Sequence, residues 1–247
     1  MIERVLPIAR AGGAVLWTAA ELAVVEARMR RRPAEQEAIF DREMRRWCRG
    51  LLRISGIHTH VDGRILPATG ARLVVSNHRS AVDIPILLSL FGGSVLSRAD
   101  IADWPVLGYA ARRAQTIFVD RDSPKSGLQA IRAIRENLQR GRTISVFPEG
   151  TTSAGDGLLP FSAGAFAAAR GLDVEIVPVG LAYPPGTEFV EAAFIDHIRN
   201  VNARLRSDVF VKVGAPRKLE GRHNRAAATI QEVVAELVQE ARAASRR

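Results

Sequence analysis

Short apolar runs alternate along this chain with stretches whose apolar residues recur at helical spacing, the pattern of a layered α/β domain. Ala71-Arg72-Leu73-Val74-Val75-Ser76 has the length and composition of a buried strand, and Ile84 to Phe91 directly after it reads as a buried helix. Thr116 to Val119, Thr143 to Val146 and Glu175 to Val179 repeat the strand pattern, and Ser94 to Arg98 adds a further candidate. Between two of these runs, Leu128, Ile131, Ile134 and Leu138 fall on one helical face and Gly141 stops it, as in the covering helix of a βαβ unit. Asp208 to Val213 predicts a late strand and Arg225 to Ala243 a terminal amphipathic helix. The expected fold class is α/β, with a mixed, mostly parallel central sheet flanked by helices.

Three local features refine this picture. Ile57-His58-Thr59-His60-Val61 alternates and leads into Asp62-Gly63-Arg64, which predicts a strand entering a hairpin turn. Its two histidines share a face, but no nearby Cys or carboxylate set completes a metal site, so they are expected to face solvent. Trp104-Pro105 opens a helix with proline in its first turn, and Ser162 is placed to cap the alanine-rich helix that follows it.

The first 55 residues read differently. Val5 to Ala20 is largely apolar but is interrupted by Arg10 and followed by Glu21 and Glu26, so the uninterrupted run is shorter than the ~20 residues a spanning helix needs. Glu3 beside Arg4, with no small-residue cleavage site after it, disfavours a signal peptide. The segment is then either a helix in one leaflet or a helix packed on its own domain. After Arg28-Met29-Arg30-Arg31-Arg32 and Pro33, residues 34–54 carry Phe40, Met44, Trp47, Cys48, Leu51 and Leu52 on one face, among Arg42, Arg45, Arg46, Arg49 and Arg53. Such a basic amphipathic helix suits an anionic membrane surface, and an ordinary solvated basic face on a core helix has the same pattern. The organisation expected is therefore a two-helix membrane-associating segment over residues 1–55 and one catalytic domain over 56–247, with no Pro/Ser/Gly-rich linker dividing it.

Charge and cysteine content narrow the class. The net charge is +9 over 247 residues, and apart from Lys125, Lys212 and Lys218 every cation is an arginine. Anionic lipid, an acidic substrate or nucleic acid would each match that sign. With 6% aromatic residues and no helix-turn-helix, zinc-finger or RRM pattern, nucleic acid is excluded as a partner. The single cysteine, Cys48, rules out an internal disulfide framework and fits a reducing compartment. Nothing in the pattern specifies an oligomeric state.

Candidate chemistry gathers at the strand ends. In Asn77-His78-Arg79-Ser80-Ala81-Val82-Asp83 a histidine and a carboxylate stand where a strand stops and a helix begins, the crevice position of open α/β sheets. Asp83, five positions on, can lean back to hold one imidazole nitrogen while the other accepts a proton. Ile117-Phe118-Val119-Asp120-Arg121 and Val146-Phe147-Pro148-Glu149-Gly150-Thr151-Thr152-Ser153 also end strands in polar residues, and Ile176-Val177-Pro178-Val179 follows. In the second of these, proline fixes the entry angle and Gly150 permits a tight turn that exposes Glu149. Arg121 offers a guanidinium for a phosphomonoester, although Asp120-Arg121-Asp122 also reads as a turn-bound ion pair.

These blocks, NHxxxxD, IFxxR, FPEGT and VPV, resemble in order those of the glycerolipid acyltransferase family that includes the 1-acylglycerol-3-phosphate acyltransferases; the resemblance covers residues 71–183. It implies an O-acyltransferase in which His78, oriented by Asp83, is the general base. It further implies that Asn77, Arg121, Glu149, Gly150 and Thr151 bind substrate, with Arg98, Ser80 and Thr152 as further candidates. No bound cofactor or metal is needed, because the donor is itself an activated thioester, acyl-CoA or acyl carrier protein. The acceptor implied is a lyso-lipid, most directly 1-acyl-sn-glycerol-3-phosphate, and the place is the cytoplasmic face of a membrane, peripheral or monotopic, among membrane lipids.

The chain departs from the family pattern twice. Gln115 stands where glycine is frequent, and Thr152-Ser153 stands where many phosphate-acceptor members have Arg-Ser. The second departure removes a positive charge and leaves room for a lyso-lipid without phosphate, such as lyso-ornithine lipid. A catalytically impaired lipid-binding protein and an ester hydrolase are the alternatives from other classes. The absence of a G-x-S-x-G elbow, an HExxH pair or a P-loop removes serine hydrolases, zinc proteases and NTPases.

Overall fold

The fold is a sheet with helices on both faces, seen in a computed structural model that describes residues 2–98, 102–103, 108–109, 112, 116–119, 124–155, 157–184, 187–189 and 193–246. Strand β2 (Ala71–Ser76) is buried at all six positions, as a parallel strand covered on both faces must be. Around it lie β1 (Ile57–Asp62), β3 (Ser94–Arg98), β4 (Ile117–Val119), β5 (Thr143–Val146), β6 (Val174–Ala182), β7 (Ser207–Val213) and β8 (Arg217–Lys218). The order is β1-β7-β6-β2-β5-β3-β4, with β8 on β6. Strands β6, β2, β5, β3 and β4 pair in parallel, so their carboxyl ends share one edge. β7 runs antiparallel to β6 and reverses the sense at one side of the sheet.

The helices are α1 (Ile2–Arg31), α2 (Gln36–Ile54), α3 (Asp83–Phe91), α4 (Pro124–Gln139), α5 (Gly164–Ala169), α6 (Phe194–Ala203) and α7 (His223–Ala244). One face of the sheet packs Leu73, Val75, Ile144 and Ile176 against Ile134 and Leu138 of α4, Phe166 of α5 and Ile230 and Val234 of α7. The other face packs Val74, Val177 and Val209 against Ile86, Leu87 and Phe91 of α3. This is the mixed, mostly parallel architecture that the alternation of runs predicts.

Two local expectations are corrected. β1 does not enter a hairpin: it pairs in parallel with β7, Ile57 opposite Ser207 through Asp62 opposite Lys212. Gly63, at φ +107°, turns the chain away, and the next strand, β2, is taken into the centre of the sheet rather than laid beside β1. Ser162 stands one residue before the capping position of α5, and its Oγ accepts from the Gly164 amide only at 3.4 Å. The capping position is Ala163, without a side-chain bond, while the Ser162 backbone amide donates to Pro148 O at 2.9 Å and ties the β5 end to this segment. His58 and His60 are exposed as expected, with His60 Nε2 2.6 Å from Asp208 Oδ1.

The N-terminal helices both pack on the domain, and α1 does so while leaving apolar side chains exposed. α2 buries Ile39, Met44, Cys48 and Leu52, and Met44 and Cys48 join Leu88 and Val95 in a cluster between α2, α3 and β3. Arg45 completes the seat by donating to Leu90 O and, at 2.6 Å, to Phe91 O, the free carbonyls at the end of α3. α2 is thus an integral helix of the fold. α1 locks onto α2 by reciprocal indole bonds, Trp17 Nε1 to Trp47 O at 3.1 Å and Trp47 Nε1 to Thr18 Oγ1 at 3.0 Å. Its Arg10 donates to Asn202 O in the last turn of α6 and to Leu205 O just past it. Even so, Ile8 and Leu16 remain 75% and 73% exposed, and, against the expectation of too short an apolar run, residues 5–31 form a helix long and apolar enough, by length and composition, to cross a membrane.

Candidate active site

His78 and Asp83 lie at the carboxyl edge of the parallel strands, at the point where β2 gives way to α3. Residues 77–82 form the connection, and Asp83 opens α3, so its carboxylate can turn back over its own first turn. Asp83 Oδ2 accepts from His78 Nδ1 at 2.7 Å, from the Arg79 amide at 2.7 Å and from the Ser80 amide at 3.0 Å. Asp83 Oδ1 accepts from the Tyr183 hydroxyl. This carboxylate is fully buried, and four donors replace the water it has lost. With Nδ1 engaged by Asp83, the His78 imidazole has Nε2 for a substrate proton. The ring stacks on Phe147 at 4.2 Å and 15°, which fixes its plane.

The FPEGT turn is bound to the same loop from the other side. Glu149 Oε1 accepts from the His78 amide at 2.7 Å and Oε2 from the Leu159 amide at 2.8 Å. The buried Arg79 guanidinium stands 3.6 Å from Glu149 Oε2 and donates to Gly157 O at 2.6 Å and to Ser153. Gly150 takes φ +72°, and its amide donates to Phe147 O, so the turn closes directly after Glu149.

The residues expected at the site separate into distinct positions. His78, Gly150, Thr151 and Thr152 line the main cavity. Asn77 is wholly buried and bridges β2 to β6, with Nδ2 donating to Leu181 O at 2.9 Å and Oδ1 accepting from Leu181 N at 2.8 Å. Ser80 is also buried and bonds His197 Nε2 at 2.9 Å. Thr152 donates its hydroxyl to Phe189 O at 3.0 Å. Both Glu149 oxygens are engaged within the protein. Arg121 lies outside the described residues, as does the side chain of Arg98.

Three residues that hold the site carried no sequence signal strong enough to select them. Tyr183 follows β6, the strand of the VPV block, and reaches Asp83 from across the sheet. Burial, then the charge of Asp83, push its phenol well above the usual value, so it stays a protonated donor. Arg79 lies inside the NHxxxxD block at one of its unspecified positions. His197 comes from α6, where Phe194, Ile195, Ile198 and Val201 were the available helical pattern, and it stacks on Phe189 at 4.5 Å.

The cavity beside His78 has a volume of about 1250 Å³ and a mainly apolar wall. Ordinary small-molecule pockets run to about 300–1,000 Å³, so this one is sized for a long hydrocarbon group. Ala14 and Val15 of α1, Trp47 and Leu51 of α2, and Leu128 and Ile131 of α4 are among its walls. It therefore joins the N-terminal helices to the carboxyl edge of the parallel strands.

Comparisons with known proteins bear on the sequence and on the fold. The family model described as Acyltransferase matches residues 58–182, and the chain belongs to that family. It is 40% identical over 111 residues to a 1-acyl-sn-glycerol-3-phosphate acyltransferase of Neisseria gonorrhoeae, 45% of this chain and 44% of that one. It is 37% identical over 140 residues to a lyso-ornithine lipid O-acyltransferase of Pseudomonas aeruginosa, 55% of this chain and 54% of that one. The matches span about half the length of these curated relatives. The crystal structure of the 1-acyl-sn-glycerophosphate (LPA) acyltransferase PlsC from Thermotoga maritima superposes with a TM-score of 0.79 over 98% of this chain and 96% of that one. At 21% identity that likeness concerns the fold.

Proposed function

We propose that the protein is an O-acyltransferase that moves a fatty acyl group from acyl-CoA or acyl carrier protein to the free hydroxyl of a lyso-lipid, with 1-acyl-sn-glycerol-3-phosphate as acceptor. The observation that carries this reading is the His78–Asp83 pair, bonded at 2.7 Å, on the wall of the apolar cavity. His78 Nε2 takes the proton of the acceptor hydroxyl as its oxygen attacks the thioester carbonyl. The tetrahedral intermediate collapses by breaking the C–S bond, and the departing thiolate takes the proton back from His78 to leave as the thiol, which restores the neutral base. Asp83 keeps the imidazole in the required tautomer and stabilises the imidazolium between these events. The thioester is activated already, so no covalent acyl-enzyme and no cofactor are required.

A second acceptor, a lyso-lipid without phosphate such as lyso-ornithine lipid, is favoured by the FPEGT turn. Thr152 supplies no positive charge, and the neighbouring Arg79 guanidinium is buried against Ser153, Gly157 and Glu149. Arg121 is then the guanidinium on which phosphate recognition rests. Transfer of labelled acyl groups from CoA and carrier-protein thioesters to a panel of lyso-lipids tests the choice. Preference for 1-acyl-sn-glycerol-3-phosphate, lost in Arg121→Ala, supports the first acceptor; transfer confined to lyso-ornithine lipid replaces it.

The membrane lipids that supply the acceptor are met by α1 in this reading, on the cytoplasmic face where thioester donors are available. Its exposed Val5, Ile8, Val15 and Leu16 present an apolar surface, and Arg28, Arg30 and Arg31 place cations in its last turn. Val15 also lines the cavity, which supports lipid entry beside that helix.

A further inference from the structure

The Asp83 carboxylate uses its two oxygens unequally. Oδ2 collects His78 Nδ1 and the amides of Arg79 and Ser80, all from its own loop. Oδ1 receives one donor, the Tyr183 hydroxyl, from the end of β6 a hundred residues later in the chain. Both side chains are buried, with Asp83 at 0% and Tyr183 at 1% exposure, so no water can substitute for the phenol. The Tyr183 backbone is held in turn, since Arg242 of α7 donates to Tyr183 O.

We propose that Tyr183 is a positioning residue for the proton transfer: by bonding Asp83 Oδ1 it holds the carboxylate in the orientation that presents Oδ2 to His78 Nδ1. The inference deepens the acyl-transfer reading and rests on it for its kinetic consequences. Without the phenol, Asp83 keeps a buried negative oxygen with no donor. The unprotonated pair, neutral His78 with ionised Asp83, then loses stabilisation relative to the protonated pair, whichever member takes the proton. The apparent pKa of the pair moves up, because it belongs to the pair as a unit.

The other ionisable groups around the pair are themselves engaged. Arg79 faces Glu149 at 3.6 Å, His197 bonds Ser80 Oγ and the Ala81 amide, and Arg242 sits on the Tyr183 carbonyl. None of these is altered by removing the phenol oxygen.

The chain has two tyrosines, Tyr109 and Tyr183, so in a Tyr109→Phe background fluorotyrosine incorporation changes Tyr183 alone. Three proteins are compared in that background: the parent, Tyr183→Phe, and the parent grown on 3-fluorotyrosine, a stronger donor of nearly the same shape. For Tyr183→Phe the expected results are a kcat lower by about tenfold, a KM within about twofold, and an acid limb of the pH–rate profile raised by about one pH unit, the size of one charged hydrogen bond. Fluorination moves the limb the opposite way. A Tyr183→Phe protein with a lower melting temperature but an unmoved limb has lost packing only, and overturns the proposal, as does fluorination without effect.

If the parent transfers no acyl group, the acyl-transfer reading fails, yet Tyr183 is still tested in the resting protein. There the ¹⁵N signals of His78, assigned by their loss in His78→Ala, are titrated against pH. A titration raised in Tyr183→Phe and lowered by fluorination supports the positioning role; coincident titrations refute it. Should Tyr183→Phe not fold, the fluorinated protein decides by the same criterion.

Discussion

Arg79 Nη1 and Glu149 Oε2 face each other at 3.6 Å beneath the site, both side chains at 3% exposure or less, and they join the two loops that make it. Arg79 belongs to the histidine loop and Glu149 to the FPEGT turn, yet Glu149 holds the His78 amide and Arg79 holds carbonyls beyond Glu149. Each loop is thus braced by a charge from the other.

This bracing predicts a coupled response to substitution. Glu149→Gln keeps the shape but turns one acceptor oxygen into a donor facing a backbone amide, and it leaves Arg79 uncompensated. Unfolding in denaturant should show a loss of about 3 to 5 kcal/mol, the range for breaking a buried ion pair. Arg79→Ala should cost a similar amount, and the double variant less than the sum of the two. Additive losses would show that the loops are held separately.

Asn77 is predicted to act on stability. Asn77→Ala leaves the amide and carbonyl of Leu181 without their partner in the sheet interior, at a cost of about 2 to 4 kcal/mol. The acceptor KM of the folded fraction should change less than about twofold, which steady-state kinetics below the melting transition can check. A large KM increase at normal stability would place Asn77 on the substrate.

At the sheet edge the prediction concerns pH. Arg206 first, then His60, hold the Asp208 carboxyl down at about 2. A carboxyl depressed on folding stabilises the native state above its unfolded value, near 4, and that contribution is lost as pH falls through about 2. Asp208→Asn should therefore lower the melting temperature at neutral pH, with the difference shrinking between about pH 4 and pH 2. The difference should be small and salt-sensitive, since the group is partly exposed and its partners Arg206 and His60 lie at the surface.

For the membrane the test is partitioning. Replacing Ile8 and Leu16 together by Glu should weaken binding to anionic vesicles by at least about tenfold, since two apolar side chains lose a lipid environment. Both residues are exposed, so the melting temperature in solution should hardly move. Unchanged vesicle binding would transfer the contact to another surface.

Which of these relationships could be read from the chain follows from how local they are. β2, α3 and β5 were legible because each carries apolar residues at its core positions and has a turn signal at its end. The pairing of His78 with Asp83 was legible because five residues separate them. The parallel partner of β1 was not, since β7 lies about 150 residues later and the turn at Asp62-Gly63 is also a good hairpin signal. Tyr183, Arg79 and His197 were hidden for the same reason: the roles of all three exist only once β5, β6 and α6 are brought to one edge of the sheet. Glu149 shows the limit from the other side, for its motif singles it out, but its bonds to the His78 and Leu159 amides exist only in the folded chain.

The central claim, acyl transfer to a lyso-lipid with His78 as base, is tested most directly by following a labelled acyl-thioester in vesicles containing lyso-lipid, with the native chain beside His78→Ala. The account predicts diacylated lipid from the native chain and a loss of at least about a hundredfold in the variant, with unchanged melting behaviour. Equal transfer by both proteins, or none by either from CoA and carrier-protein donors, would contradict it.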